Sequence, residues 1–398
     1  MAGLSLAYYL SRSSLKNASI LLLDQERKTK NDRTWCYWEN GVGPYEDIVF
    51  RKWQQVDFYG TTFSGPLQLG DYQYKMLRGI DFYDFMQREL QSLPNLEVRY
   101  GTVTHIEELA NSAVAVIGNE RFEGNILFDS TYRLNQKLPE NHNLLQHFKG
   151  WVINTEEDCF DADRPRVMDF RIAQEGDCRF LYVLPFDKRT ALVEYTIFNE
   201  HLLAQDEYER SLREYIGKFL CTGAYRIEET EWGIIPMSDV PTSENPSRHI
   251  VRIGTSGGYT KPSTGYTFQR TQRYLRELVA NLETTGLPPV RNKPVFATWF
   301  KSCLDSVLLN VLQKNRHPAD DVFTKLFSEN PASLIFKFMD EDTTIWEDLR
   351  VVNTMPKGPF ALAVFDLLRR AVRPPASTQG PAVREPIPAA PRPQAHTH

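Results

Sequence analysis

Three short, continuous apolar runs, each ending in a polar or small-residue loop, constrain the fold of this 398-residue chain more than any other feature. They are Ala18-Ser-Ile-Leu-Leu-Leu-Asp24, Asn125-Ile-Leu-Phe-Asp129 and His249-Ile-Val-Arg-Ile-Gly254. Runs of this length, apolar on both faces, suit strands covered from both sides, as in a parallel sheet between helices. Ahead of the first lies Ala2 to Ser13, where Leu4, Ala7, Tyr8 and Leu10 fall at helical spacing. The pattern predicts an α/β architecture that opens on a helix followed by a buried strand.

From Trp151 to about Ile235 the pattern changes to alternating, aromatic-rich segments. Phe180-Leu-Tyr-Val-Leu184 and Ala191-Leu-Val-Glu-Tyr-Thr-Ile-Phe198 flank a tight turn at Phe186-Asp-Lys-Arg-Thr190. This predicts antiparallel sheet inserted into the first unit. Tyr266 to Thr284 reads as a helix stopped by Gly286 and Pro288, and Val295 to Leu368 as mostly helical. Beyond Val372 the chain is rich in proline and has no Leu or aromatic side chain, so residues 373–398 are expected to be disordered. No apolar run approaches the roughly 20 residues that cross a bilayer. A net charge of −5 argues against a nucleic-acid surface. Cys36, Cys159, Cys178, Cys221 and Cys303 include no C-x-x-C pair and the histidines do not cluster, so neither disulfides nor a metal centre are expected. The N-terminus lacks an export signal, which gives a cytoplasmic reading.

Chemistry is legible in four places. A dinucleotide-binding βαβ unit carries G-x-G-x-x-G between strand and helix, with an acid about 20 residues later for the adenosine ribose. Gly3 fits the third glycine and Asp24 the acid, although an ordinary α/β unit would look the same. The first strand and the two other glycines are expected ahead of Met1, and the chain from Met1 is expected to hold such a cofactor poorly. In the second place, a strand opens into Gly254, Gly257, Gly258 and Gly265 just before a helix, which suits close approach of an anion or polarised carbonyl. In the third, alternation sets Glu194 on one face with Leu192, Thr196 and Phe198, where an apolar setting would favour its protonated form; a solvated glutamate on an edge strand fits the same pattern. The fourth, Asn31-Asp-Arg-Thr-Trp-Cys-Tyr-Trp-Glu39, suits either a cavity wall or a buried turn in which Arg33 pairs with Glu39 or Asp32.

Taken in order with Gln146-His-Phe-Lys-Gly-Trp151, Met168-Asp-Phe170, Leu192-Val-Glu-Tyr-Thr196 and Gly233-Ile-Ile-Pro-Met237, these segments resemble the bacterial flavoprotein lycopene cyclases from Gly3 to about Val372. The resemblance implies a glutathione-reductase-like, FAD/NAD(P)-binding Rossmann-type α/β domain (residues 1–60, 101–150 and 246–286). It adds an inserted antiparallel substrate domain (61–100 and 151–245) and a C-terminal helical region (287–372). It implies ring closure at the acyclic ends of lycopene and other acyclic carotenoids to β rings, with reduced FAD as cofactor and NAD(P)H as reductant. Glu194 matches the essential acid, Asp24 the ribose-binding acid, and Gly254, Thr255, Gly257 and Gly258 the second flavin-contacting loop. Arg33, Trp35, Trp38 and Thr196 are expected to line the substrate pocket, with Asp169 and Glu231 as substitutes should Glu194 not be the acid. Because lycopene dissolves in membranes, the chain is expected to dock on the inner membrane face, beside other carotenoid enzymes. Val295-Phe-Ala-Thr-Trp-Phe300 is the expected contact, with a core helix as the alternative. Flavin monooxygenases and prenyl reductases of the same fold usually carry an acid where this chain has Thr255; they remain the alternative reading, with a flavin-free, non-catalytic remnant as a third.

Overall fold

A computed structural model describes residues 1–132, 140–220, 223–242, 246–289 and 296–372. In chain order, α1 (Ala2–Ser11) and β1 (Ile20–Asp24) lead to β2 (Thr34–Asn40), β3 (Arg51–Trp53), β4 (Gln55–Tyr59), β5 (Ser64–Gln68) and β6 (Tyr72–Arg78). Next come α2 (Gly79–Leu90), β7 (Leu96–Tyr100), β8 (Val103–Glu108), β9 (Ala113–Ile117), β10 (Glu120–Gly124) and β11 (Leu127–Asp129). The middle of the chain supplies β12 (Asn143–Thr155), β13 (Arg166–Asp169), β14 (Cys178–Pro185), β15 (Thr190–Asn199), α3 (Gln205–Phe219), β16 (Tyr225–Ser238) and β17 (Ile250–Arg252). Helices close it: α4 (Phe268–Thr285), α5 (Phe296–Gln313), α6 (Ala319–Glu329), α7 (Ala332–Met339), α8 (Ile345–Thr354) and α9 (Lys357–Val372).

The central element is a seven-stranded sheet in the order β16-β12-β15-β14-β13-β4-β5. Strands β12, β14, β15 and β16 pair antiparallel, as the alternation between Trp151 and Ile235 requires. One face packs against α3, whose Tyr208, Leu212, Tyr215 and Ile216 meet Val193, Tyr195 and Ile197. The other face meets a three-stranded sheet, β2-β6-β3, and side chains of α5, α6 and α7. We call this second side the inner core. Helix α3 was not expected within the antiparallel region. Its apolar residues recur at i, i+4, i+7 and i+8, a helical period hidden among many charges. The sheet also starts at Asn143, ahead of the expected boundary at residue 151, and it recruits β4 and β5.

The parallel pairing read from the apolar runs is present as two ribbons. β1 pairs in parallel with β7, which lies in the segment expected to belong to the substrate part, and β11 pairs in parallel with β17. Helices α1 and α4 cover them through Ala2, Leu6, Leu10, Leu275, Leu278 and Leu282. The expectation of a buried first strand needs correction: β1 is only half-buried, and among the described residues its one partner is β7. Helix α4 stops at Gly286, whose left-handed φ of +70° ends the helical hydrogen bonding as the sequence suggested. Val295, Cys221 and the Pro-rich tail lie outside the described residues.

The inner core depends on aromatic packing centred on Phe180, which is fully buried and meets Tyr182 and Phe198 edge-on at 5.4 and 5.3 Å. Phe180→Ala is expected to lower unfolding stability by about 3–5 kcal/mol. Chemical denaturation measures this, and a loss under about 1 kcal/mol would place Phe180 outside the core.

Candidate active site

Alternation and register together build the site. In β15, Leu192, Thr196 and Phe198 face the inner core and Val193, Tyr195 and Ile197 face α3, which sends Glu194 to the inner side. Glu194 lies opposite Tyr182 of β14 on one side and Gly150 of β12 on the other, and Gly150 in turn lies opposite Glu231 of β16. One row across four strands therefore reads Tyr182, Glu194, Gly150, Glu231. Neighbouring strands are about 4.8 Å apart, so the two glutamate backbones are separated by about 10 Å. With no side chain at position 150, the two carboxyl groups reach over the glycine and hydrogen-bond to each other.

Each carboxyl has a further partner. The Thr196 hydroxyl donates to Glu194 Oε1 at 2.9 Å, and the Thr34 hydroxyl, from β2 across the interface, donates to Glu231 Oε2 at 2.9 Å. Burial pushes the Glu194 carboxyl well above the usual carboxylate range, and the neighbouring Glu231 pushes it the same way through its charge and hydrogen bond. Burial also raises Glu231, against the opposing pull of its hydrogen bonds to Glu194 and Thr34 and of the Arg33 charge. Two carboxyls in one desolvated space resist double ionisation, which favours a proton kept on the pair. Glu194 is crowded by protein yet keeps partial accessibility, the condition of a group lining an internal crevice.

Around the pair, Cys36, Tyr74 and Tyr182 are all held far above their ordinary values by burial, and Tyr266 is pushed up to about 12. None of them supplies a competing charge near neutrality. Trp38 adds an apolar wall, stacked on Phe336 at 4.9 Å and edge-on to Tyr266 at 4.5 Å. Arg33 pairs with Asp32 at 3.0 Å and its charge reaches Glu231, while Glu39 pairs with Lys75. The expectation for Trp35 is corrected. It sits on the opposite face of β2 and packs on Phe82, Tyr83 and Phe268, so it fills a separate core and not the pocket wall. Asp169 is consumed elsewhere, held by Arg171 at 2.9 Å and by the Tyr215 hydroxyl at 2.6 Å.

The residues expected to hold a nucleotide converge at the start of α1. The first backbone bond of this helix is Ser5 N–H to the Met1 carbonyl, which leaves the preceding N–H groups free of helical partners, and no side chain caps them. Gly3 packs over Leu22 of β1, and Asp24 closes that strand. The turn Gly254–Gly257 follows β17 directly, with Gly258 as its left-handed cap. A side chain at Gly254 (φ +61°) would bring its Cβ within 2.9 Å of Ala2 Cβ, so loop and helix start are in contact. Thr255 accepts from the Thr260 hydroxyl at 3.1 Å. Open N–H groups, a side-chain-free loop and a terminal carboxylate suit a dinucleotide's pyrophosphate and ribose. A cleft of about 520 Å³ opens nearby, lined by Asp129, Arg252 and Ser256 among others, and none of its lining residues lies on the sheet that carries Glu194. Among the described residues, no group of three His, Cys, Asp or Glu side chains is placed to hold a metal ion.

Two residues the sequence did not single out complete the site. Gly150 carried a readable signal, because a glycine inside a strand marks close approach of neighbours. Thr34 carried none, since its partner comes from a strand 197 residues away.

The architecture is an α/β unit joined to a large antiparallel sheet and followed by helices. Solved structures agree in fold: a geranylgeranyl bacteriochlorophyll reductase-like protein from Thermoplasma acidophilum superposes with a TM-score of 0.62 at 12% identity, covering 93% of this chain and 96% of that one. A flavoprotein/dehydrogenase from Cytophaga hutchinsonii gives 0.58 at 12% identity, covering 92% and 96%. The chain belongs to the lycopene cyclase family, whose model, described as lycopene cyclase protein, matches residues 1–364. A lycopene beta-cyclase of Paracoccus sp. is 26% identical over 93% of this chain and 97% of its own length. The chloroplastic lycopene beta cyclase of Arabidopsis thaliana is 27% identical over 68% of this chain. The match spans little more than half of that plant protein, 56% of its length.

The raised carboxyls make stability depend on pH. A group whose folded value lies above its unfolded value stabilises the fold at low pH, and that contribution is lost as pH rises through the folded value. Relative to Glu194→Gln, the parent should therefore lose stability as pH rises above about 5, by up to about 1.4 kcal/mol per unit. Thermal midpoints of both proteins between pH 5 and 9 measure this. Parallel midpoint curves would mean that Glu194 carries no extra proton in the folded state.

Proposed function

We propose that this chain is a lycopene β-cyclase, closing the acyclic ends of lycopene and related acyclic carotenoids into β rings with no net redox change. The observation that carries the reading is the pair of Glu194 and Glu231, set across Gly150 in an aromatic-walled core and held by Thr196 and Thr34. An alkene is a weak base, so the acid that protonates it has to be presented at short range in a dry site. Glu194 gives its proton to the terminal double bond, an O–H bond breaking as a C–H bond forms. A second double bond of the polyene attacks the resulting cationic carbon and leaves a tertiary carbocation in the new ring. A neighbouring carbon then returns a proton to the carboxylate, which sets the β double bond and restores the acid. The faces of Trp38, Tyr182 and Tyr266 exclude water that would quench the cation, and aromatic π faces favour positive charge. The first turn of α1, Asp24 and the loop Gly254–Gly258 would hold FAD, and its reduced form, maintained by NAD(P)H, would supply negative charge that favours the cation.

Family membership and Thr255 in place of an acid both favour this reading over an oxygenase or reductase of the same fold. Expressed in lycopene-accumulating cells, Glu194→Gln should lose at least about 10²-fold in cyclic carotenes while flavin content stays at the parental level. Chromatography of the pigments reads the outcome. Cyclic carotenes at parental level would remove Glu194 from the mechanism.

In this reading a substrate that dissolves in lipid calls for work at a membrane surface, and the cytoplasmic face is the proposed side. Among the described residues no helix is long and apolar enough to cross a bilayer. Phe296 and Trp299 at the start of α5 are 62% and 51% exposed, and α9, packed against α5, exposes Phe365 and Leu368. These side chains form the docking face in this reading. Serine at both 296 and 299 should reduce co-sedimentation with lipid vesicles by roughly tenfold or more. Unchanged co-sedimentation would assign docking to another surface.

A further inference from the structure

We propose that Glu231 is a positioning residue for the acid Glu194, setting its orientation and its proton through a hydrogen bond made over Gly150. The proposal rests on the acid role given to Glu194 above, and it adds the element that tunes that acid.

Three independent observations carry it. Register places Gly150 directly between the two glutamates, one on each neighbouring strand. A Cβ at position 150 would lie 3.0 Å from Glu231 Cγ, 3.0 Å from Leu192 Cδ1 and 3.5 Å from Glu194 Cβ, so the space over the glycine is the passage through which the carboxyls meet. The far end of the pair is pinned from another sheet: Thr34 of β2 donates to Glu231, and Glu231 is only 8% exposed. Further along the same face of β12, opposite Phe198 and Ile235, Gln146 is 8% exposed and keeps a side-chain carbonyl oxygen without a partner among the described residues.

The charged and titratable groups that face the pair come from every element packed on it. Cys36 and Tyr74 approach from β2 and β6, Tyr182 from β14 and Tyr266 from the loop before α4. Arg33, itself paired with Asp32, and Glu229 act on Glu231. Burial keeps the thiol and the phenols neutral, so the dominant electrostatic influence on Glu194 is Glu231, which favours the protonated form both by charge and by accepting its hydrogen bond. When Glu194 gives up its proton, the pair is left with additional negative charge next to the carbocation, and the returning proton restores it.

The test compares the parent with Glu231→Gln, Glu231→Asp and Gly150→Ala, using rate against pH and potentiometric titration of the folded proteins. Without the neighbouring charge, Glu194 in Glu231→Gln should ionise at lower pH. Cyclisation at pH 8 should then fall on the order of tenfold or more while approaching the parental rate near pH 5.5. Glu231→Asp should recover part of the alkaline activity, and Gly150→Ala, which wedges the carboxyls apart, should shift the profile the same way as Glu231→Gln. The titration should show the corresponding proton released at lower pH in Glu231→Gln than in the parent. A parental pH profile in Glu231→Gln overturns the proposal, as does an equal loss at every pH with Gln and Asp alike. If no variant and no parent protein cyclises lycopene but the titration difference is present, the carboxyl coupling stands and the cyclase reading fails.

Discussion

Two carboxyl groups share one desolvated space on the inner face of the seven-stranded sheet, and that constraint organises the rest of the site. Charged carboxylates cannot be stacked in such a space, so at least one must keep a proton, and the surroundings have to hold both in place while it does. Thr196 and Thr34 hold the two ends, and Gly150 leaves open the path between them. Each of these small residues has a role that a larger one could not fill at the same position.

The division of the sheet into two faces makes this arrangement affordable. Helix α3 buries the odd residues of β15 in a separate apolar cluster, so the strand is anchored without calling on its inner face. The inner face is then free to carry Glu194 between Leu192 and Thr196, under β2, β6 and the aromatic rings of Trp38 and Tyr266. The same loop that presents Tyr266 begins at Gly254, against the start of α1. A single segment thus runs from the nucleotide-compatible corner of the molecule to the wall of the acid site.

Much of the architecture was legible because it follows from period. Continuous apolar runs gave the parallel strands, and alternation in residues 180–198 gave the β14–β15 hairpin and the grouping of Glu194 with Leu192, Thr196 and Phe198, while leaving open whether that face is buried. What alternation within one strand does not contain is the identity of the neighbour. Glu231 could be named only as a substitute acid, because its place beside Glu194 depends on β12 intervening with a glycine at the crossing point. Trp35 and Trp38 looked equivalent in an aromatic-rich nonamer, yet three residues apart on a strand they face opposite sides, one toward Phe82 and Phe268 and the other toward Phe336. The charge density of residues 205–219 hid a helix whose apolar stripe is narrow.

The central claim is that a proton resides on this carboxyl pair at neutral pH, and infrared difference spectroscopy observes it directly. Spectra of the parent and of Glu194→Gln at pH 7 should differ by the carbonyl band of one buried, protonated carboxylic acid, present in the parent and absent in the variant. A parent spectrum at pH 7 that differs from the variant's only by carboxylate bands would contradict the account, because Glu194 would then be ionised and have no proton to give.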